Sequence, residues 1–283
     1  MKNTFYYLFL IYLILLSCET PKKNKTNETI KQKNIYNPIS NTTIENTLDS
    51  LHLEGSVLFY HPNSVNFYSN NFKWTKKKHL PASTFKIPNT IIGLETGVIS
   101  DTTVFKWNGE KRRFKSWEKD LTLKEAFQVS CVPCYQEVAG RIGEKRMNQY
   151  LKKINYPGMD VSEENLTNFW LVGNSKISQM EQIEFLSRLF EKKLPISEKT
   201  FDQLNAIMQV SNSDIASTIK AKTGLSHHNN IYNGWYVGSI SDKNDIYYFA
   251  TNIQANDSLD FKTFGKSRKD LTREAFHSIH KKD

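Results

Sequence analysis

Pro81-Ala82-Ser83-Thr84-Phe85-Lys86-Ile87-Pro88-Asn89 sets a hydroxyl and an amine three residues apart in an otherwise apolar run. Positions i and i+3 of a helix share a face, so the two side chains can meet. A free serine is a weak nucleophile at neutral pH and needs a neighbour within hydrogen-bond reach to take its proton. The spacing alone is common. Ser116/Lys119, Ser217/Lys220 and Ser278/Lys281 also fit Ser-x-x-Lys, and a solvated pair on a helix face is the ordinary outcome. Further along, Ser130-Cys131-Val132 and a single Lys-Thr-Gly, Lys222-Thr223-Gly224, follow in order.

Ser-x-x-Lys, a second serine motif and Lys-Thr-Gly together are the signature of serine β-lactamases and penicillin-binding proteins. Longer stretches add to it: Phe105-Lys106-Trp107-Asn108-Gly109, Trp117-Glu118-Lys119-Asp120-Leu121-Thr122-Leu123, Phe169-Trp170-Leu171 and Gly234-Trp235-Tyr236-Val237-Gly238. On these residues the chain resembles the class D β-lactamases, the oxacillinases, from about Leu53 to the C-terminus. The resemblance implies hydrolysis of the β-lactam ring of penicillin-type antibiotics through an acyl-enzyme. A penicillin-binding protein acting on peptidoglycan stem peptides and a non-hydrolytic β-lactam sensor domain are the alternatives.

Local patterns place the elements. Ile44 to Leu53 reads as a short helix, and Ser56 to Tyr60 as a strand turned by His61-Pro62-Asn63 toward Val65 to Tyr68. Thr122-Leu123-Lys124-Glu125 and Ser178-Gln179-Met180-Glu181 are capping boxes, and further helices fall at Tyr135 to Arg141, Lys145 to Ile154 and Ser197 to Val210. Strands return at Ile219 to Thr223, Asn233 to Ser241 and Ile246 to Ile253, before a helix from about Gly265 to His280. Strands at both ends with helices between them give an α+β domain. The resemblance sharpens this to a central antiparallel sheet flanked by the terminal helices, with an inserted all-helical subdomain and the active site where the two meet.

A lysine of ordinary pKa, about 10.4, is neutral in only about one molecule in 2,500 at pH 7, so Lys86 needs burial to act as a base. Phe85, Ile87, Ile91 and Ile92 supply apolar neighbours. The resemblance implies more: Lys86 carries carbon dioxide as a carbamate (N6-carboxylysine), Trp170 donates its indole N–H to it, and Val132 walls its pocket. It further implies Ser83 as nucleophile and Ser130 as proton donor to the departing nitrogen. Lys222 tunes Ser130, the Ser83 and Leu225 amides form the oxyanion hole, and Thr223, Gly224 and Arg268 bind the substrate carboxylate. Where most of the family reads Tyr-Gly-Asn, this chain has Tyr156-Pro157-Gly158; Tyr156 is retained as a substrate-binding residue, with a buried structural tyrosine as the alternative.

At 283 residues, 39% hydrophobic and 12% aromatic, the chain can bury a substantial core. The +9 net charge includes five lysines between Lys22 and Lys33 and shows no Arg-rich face or nucleic-acid module, so no nucleic-acid partner is expected. Met1-Lys2-Asn3 and the apolar run Phe5 to Leu16 read as a secretory signal, too short to span a bilayer comfortably. Leu15-Leu16-Ser17-Cys18 resembles a bacterial lipobox. The expected organisation is a signal peptide over 1–17, a polar flexible tether over 18–43 carrying lipid on Cys18, and a catalytic domain over 44–283. This describes an exported, membrane-anchored lipoprotein facing the periplasm, whose partners are a small β-lactam and the membrane through its lipid. Cys131-Val132-Pro133-Cys134 also matches a redox pair, but no βαβ pattern precedes it; packed thiols and a disulfide both stay open. No metal site is expected, and His227-His228 reads as solvated loop.

Overall fold

The computed structural model describes residues 37–210, 217–243 and 245–280. The expected signal peptide, Cys18 and most of the tether therefore lie outside the described residues. In chain order the strands are β1 (Asn37–Ser40), β2 (Glu54–His61), β3 (Asn66–Ser69), β4 (Lys78–His79), β5 (Val104–Phe105), β6 (Leu121–Thr122), β7 (Ile177–Ser178), β8 (Thr218–His228), β9 (Ile231–Asp242) and β10 (Asp245–Asn256). The helices are α1 (Glu45–Ser50), α2 (Lys86–Glu95), α3 (Leu123–Gln128), α4 (Val132–Ile142), α5 (Glu144–Lys153), α6 (Gln179–Phe190), α7 (Glu198–Met208) and α8 (Phe261–His280).

A six-stranded sheet in the order β1-β3-β2-β10-β9-β8 forms the centre. Its pairs are antiparallel except β1 with β3, which run parallel. Side chains alternate across the pleat. Trp235 and Val237 of β9, with Tyr248 and Ala250 of β10, face a core shared with α2 to α7. Tyr236, Ile240, Phe249 and Ile253 face the opposite core, closed by Leu48 of α1 and by Phe264, Leu271 and Phe276 of α8. Terminal helices, sheet and inserted helices thus form the layers expected. The tether ends earlier than expected, however, because β1 pairs its four residues with β3 inside the stretch assigned to it.

Both capping boxes form. The Glu125 amide donates to Thr122 Oγ1 at 3.3 Å while the Thr122 amide donates to Glu125 Oε2 at 2.9 Å, so hydroxyl and carboxylate each satisfy an orphan donor. Ser178 and Glu181 repeat the exchange at the start of α6. Along α6, Gln179, Gln182, Ile183, Leu186 and Leu189 fall on one buried stripe at helical spacing. Its two amides tie the layers together. Gln179 Nε2 donates to the Ser56 carbonyl at 2.9 Å, and Gln182 Nε2 to Thr84 Oγ1 at 3.0 Å, beside Ser83.

Candidate active site

Ser83 and Lys86 do not share one α-helix as the spacing predicts. Ala82 to Phe85 form a 3₁₀ turn that runs into α2, whose first residue is Lys86. Residues i and i+3 eclipse in a 3₁₀ turn, and Lys86 Nζ donates to Ser83 Oγ at 3.0 Å. Pro88, in the first turn of α2, lacks an N–H that would have had no intrahelical partner there. Ala82 enters the turn with φ of +49°, a left-handed conformation costly for a residue with a Cβ, of order 1–2 kcal/mol. What holds it is the sheet: the Leu80 carbonyl accepts from Trp235 Nε1 at 2.8 Å and from Asn233 Nδ2 at 3.0 Å.

Ser130 occupies a second left-handed position, φ +59°. The Cys131 amide donates to the Ala126 carbonyl and the Ser130 amide to the Phe127 carbonyl, which is the Schellman closure of α3 with Ser130 at the position glycine usually takes. Gly97 fills the equivalent place after α2. A serine there forgoes local stability to present a hydroxyl, and that hydroxyl accepts from Lys222 Nζ at 2.7 Å. Cys131 and Cys134 are joined by a disulfide across the start of α4, which resolves the alternatives left by the sequence.

Strand β8 reaches the nucleophile because of Gly224. A Cβ at that position would lie 3.0 Å from the Pro81 carbonyl and 3.1 Å from the Thr84 methyl, so only glycine lets the strand press on the turn without displacing a neighbour. On the other side, Arg268 of α8 is fixed by backbone carbonyls. Its Nε donates to Gly265 at 3.0 Å, and its Nη1 donates to Gly224 and Trp235.

Ser83, Ser130, Thr223, Gly224 and Arg268 line one cleft of about 550 Å³, together with Arg113, Phe114, Ser116, Trp117, Val129, Val132, Leu171, Val172, Leu225, Ser226, His227 and Phe261. No carboxylate is among the lining residues. Ser83, Ser130, Val132, Thr223, Gly224, Leu225 and Arg268 are thus gathered as expected, with Lys86 and Lys222 bonded to the two serines. Tyr156 is not in the cleft. It is 3% exposed, packs edge-on against Phe85 and Phe185, and its hydroxyl lies against Thr84 and Gln182 without a well-formed hydrogen bond to either. The substrate-binding role for Tyr156 gives way to the structural alternative, since an aromatic ring behind the nucleophile turn has no path to a ligand. His227 is also corrected, being the penultimate residue of β8 and bonded to Asp257 at 3.0 Å rather than part of a loop.

The electrostatics follow from burial. Lys86 is 1% exposed, and desolvation alone lowers its pKa to about 7. Lys222 is held well below the ordinary lysine range, first by burial and then by the like charges of Lys86, Arg268 and Lys269. Burial lowers Arg268 to about 10, leaving it charged at neutrality. Trp170 is fully buried, stacks on Phe85 at 5.6 Å, and its indole Nε1 has no hydrogen-bond partner. A buried N–H with no acceptor is costly and calls for a group that supplies one. An acidic adduct on Lys86 fits those donors: a buried amine poised near neutrality and an orphaned indole on the adjoining ring.

The sequence did not flag Arg113, Phe114 or Phe261. Phe114 packs edge-on against Trp117 at 4.8 Å and stacks on Phe261 at 6.4 Å. The usable signal was the basic, aromatic run Lys111-Arg112-Arg113-Phe114-Lys115 just before the Trp117 stretch.

Residues 22–277 match the family described as the penicillin-binding protein transpeptidase domain. The chain is 38% identical to β-lactamase OXA-10 of Pseudomonas aeruginosa over 217 residues, covering 75% of this chain and 81% of that protein. It is 40% identical to β-lactamase OXA-48 of Klebsiella pneumoniae over 202 residues, covering 71% and 75%. The crystal structure of a class D β-lactamase from Sebaldella termitidis superposes with a TM-score of 0.80 at 34% identity, over 87% of this chain and 98% of that one.

Proposed function

The chain belongs to the penicillin-binding transpeptidase family and within it to the class D β-lactamases, serine enzymes that hydrolyse β-lactams, and on that premise we propose how its own residues carry the reaction. Ser83 Oγ attacks the β-lactam carbonyl and gives its proton to the base at Lys86, 3.0 Å away. Charge on the carbonyl oxygen is received by the Ser83 and Leu225 amides. The carbon–nitrogen bond then breaks, and Ser130 protonates the departing nitrogen, with Lys222 at 2.7 Å restoring its proton. The base passes the Ser83 proton on to Lys222 and is free again; water then attacks the Ser83 ester, its proton goes to the freed base, the base returns it to Ser83 Oγ as the ester bond breaks, and the open acid leaves. Thr223 and Arg268 hold the ring carboxylate, Arg268 through its charge and its Nη2, since Nε and Nη1 are committed to backbone carbonyls.

The observation that carries this reading is the pairing of two serines with two buried, acidified lysines in one cleft that lacks carboxylates. Carbon dioxide held on Lys86 as a carbamate would supply an anionic oxygen able to accept protons in both halves of the reaction. Two features support it: the neutral amine that reacts with carbon dioxide is well populated above about pH 7, and the Trp170 N–H lacks an acceptor. Hydrolysis of a chromogenic cephalosporin in degassed buffer tests it. Bicarbonate should restore the rate, and more readily at pH 8 than at pH 6. Trp170→Ala should need roughly tenfold more bicarbonate, as expected for loss of one buried donor to a charge. Indifference of both proteins to bicarbonate would leave Lys86 a plain amine and favour a peptidoglycan peptidase.

Export as a lipoprotein belongs to the same proposal. It rests on Leu15-Leu16-Ser17-Cys18 at the end of the apolar run Phe5 to Leu16. Mass spectrometry of the mature N-terminus checks it; any N-terminus other than an acylated Cys18 rejects it.

A further inference from the structure

The cleft carries cations at two depths. Arg268, 8% exposed, lies beside Gly224 at the floor, and Arg113 lies among the exposed residues of the rim with Phe114 and Val172. The floor arginine is held in place by three backbone carbonyls. The rim arginine is placed differently, with its guanidinium 5.4 Å from the centre of the Phe114 ring. Phe114 is itself wedged between Trp117 and Phe261, so the cation rests on a fixed aromatic surface.

Within the basic run, Arg112 and Lys115 have hydrogen-bonding or ionic partners, whereas among the described residues Arg113 has only the face of Phe114. Lys115 pairs with Glu118 at 2.7 Å, and the Arg112 amide bonds the other oxygen of the same carboxylate at 3.1 Å. The Arg112 guanidinium donates to Asn108 at 3.2 Å. Among the described residues no carboxylate pairs with Arg113, and none lines the cleft. An unneutralised guanidinium presses for an anion, and the space before it is the space a substrate fills.

We propose that Arg113 is a specificity residue selecting β-lactams whose acyl side chain carries a second carboxylate. The inference deepens the reading above, on which it rests: the ring carboxylate is committed to Arg268 and Thr223, so an anion at the rim must belong to another part of the molecule. A carboxylate in the acyl side chain sits at the opposite end of the drug from the ring carboxylate, as Arg113 lies at the rim away from the floor.

The test compares benzylpenicillin with its α-carboxy analogue, which differ only in that group. In wild type and in Arg113→Lys, Arg113→Gln and Arg113→Glu, the quantity read is the ratio of kcat/KM for the dianion to that for the monoanion. An exposed charge pair in a partly screened cleft predicts a fall of about three- to tenfold in Arg113→Gln, with the change in KM. Arg113→Glu should fall further, and Arg113→Lys should keep part of the ratio. Raising ionic strength should lower the wild-type ratio and leave that of Arg113→Gln flat. An unchanged ratio in both the Gln and Glu variants, including equal losses on the two penicillins, would overturn the proposal. Failure of wild type to turn over either penicillin would overturn the parent reading and this assignment with it.

Discussion

The floor and the rim of the cleft are built by opposite rules. At the floor, Ser83, Lys86, Ser130 and Lys222 are buried or nearly so, each hydroxyl is bonded to one amine, and the lysines are acidified by loss of water. Two left-handed residues that are not glycine, Ala82 and Ser130, hold the serines in position. At the rim, Arg113, Phe114 and His227 are exposed, held by ring contacts and single bonds. The floor accepts strain and desolvation to prepare chemistry, whereas the rim meets substrate in a solvated setting. Floor changes should therefore act on kcat and on stability, and rim changes on KM.

The largest break in that contrast is Ser83→Ala, which should lower kcat by at least about 10⁴ with the fold retained, since the nucleophile of such a unit cannot be replaced. Steady-state rates read beside circular dichroism check it, and a retained percent of activity would remove Ser83 from its role. Next, Lys86→Met should cost about 10³ in kcat, the scale of a general base, while making the protein more stable. Between about pH 7, its folded value, and about 10.4, its unfolded value, wild type in degassed buffer binds one proton more when unfolded, so its stability rises with pH over that window. Methionine does not titrate. Its advantage, of order 1–4 kcal/mol, should be fullest at and below pH 7 and shrink toward pH 10 in thermal melts.

Ser130→Gly separates strain from chemistry at one residue. Glycine suits the Schellman position, so Tm should hold or rise, while kcat falls about 10²-fold for want of a proton donor. A drop in Tm would show that the Lys222 hydrogen bond outweighs the backbone cost. The smallest effect belongs to the rim: Phe114→Ala should raise KM about two- to fivefold and leave kcat within twofold, because the ring touches substrate without meeting the reacting atoms. A loss chiefly in kcat would erase the distinction between rim and floor.

The residues that could be read in advance are those whose physics is local. The capping boxes at Thr122 and Ser178, the alternation of β9 and β10, and the three-residue step from Ser83 to Lys86 depend on neighbours along the chain, so the sequence by itself determined the α+β arrangement and the motif residues. Strand β1 escaped because Asn37-Pro38-Ile39-Ser40 carries no apolar alternation and exists through its pairing with β3. Tertiary structure alone decided the rest. Lys222 meets Ser130 across 92 residues of chain, Tyr156 turns behind the nucleophile rather than into the cleft, and Arg113 reaches the rim on a surface of Phe114, Trp117 and Phe261. Local rules govern which element forms, since capping and periodicity act within a turn or two. Which side chains converge on a common space depends on how whole layers pack, and no short window of sequence contains that.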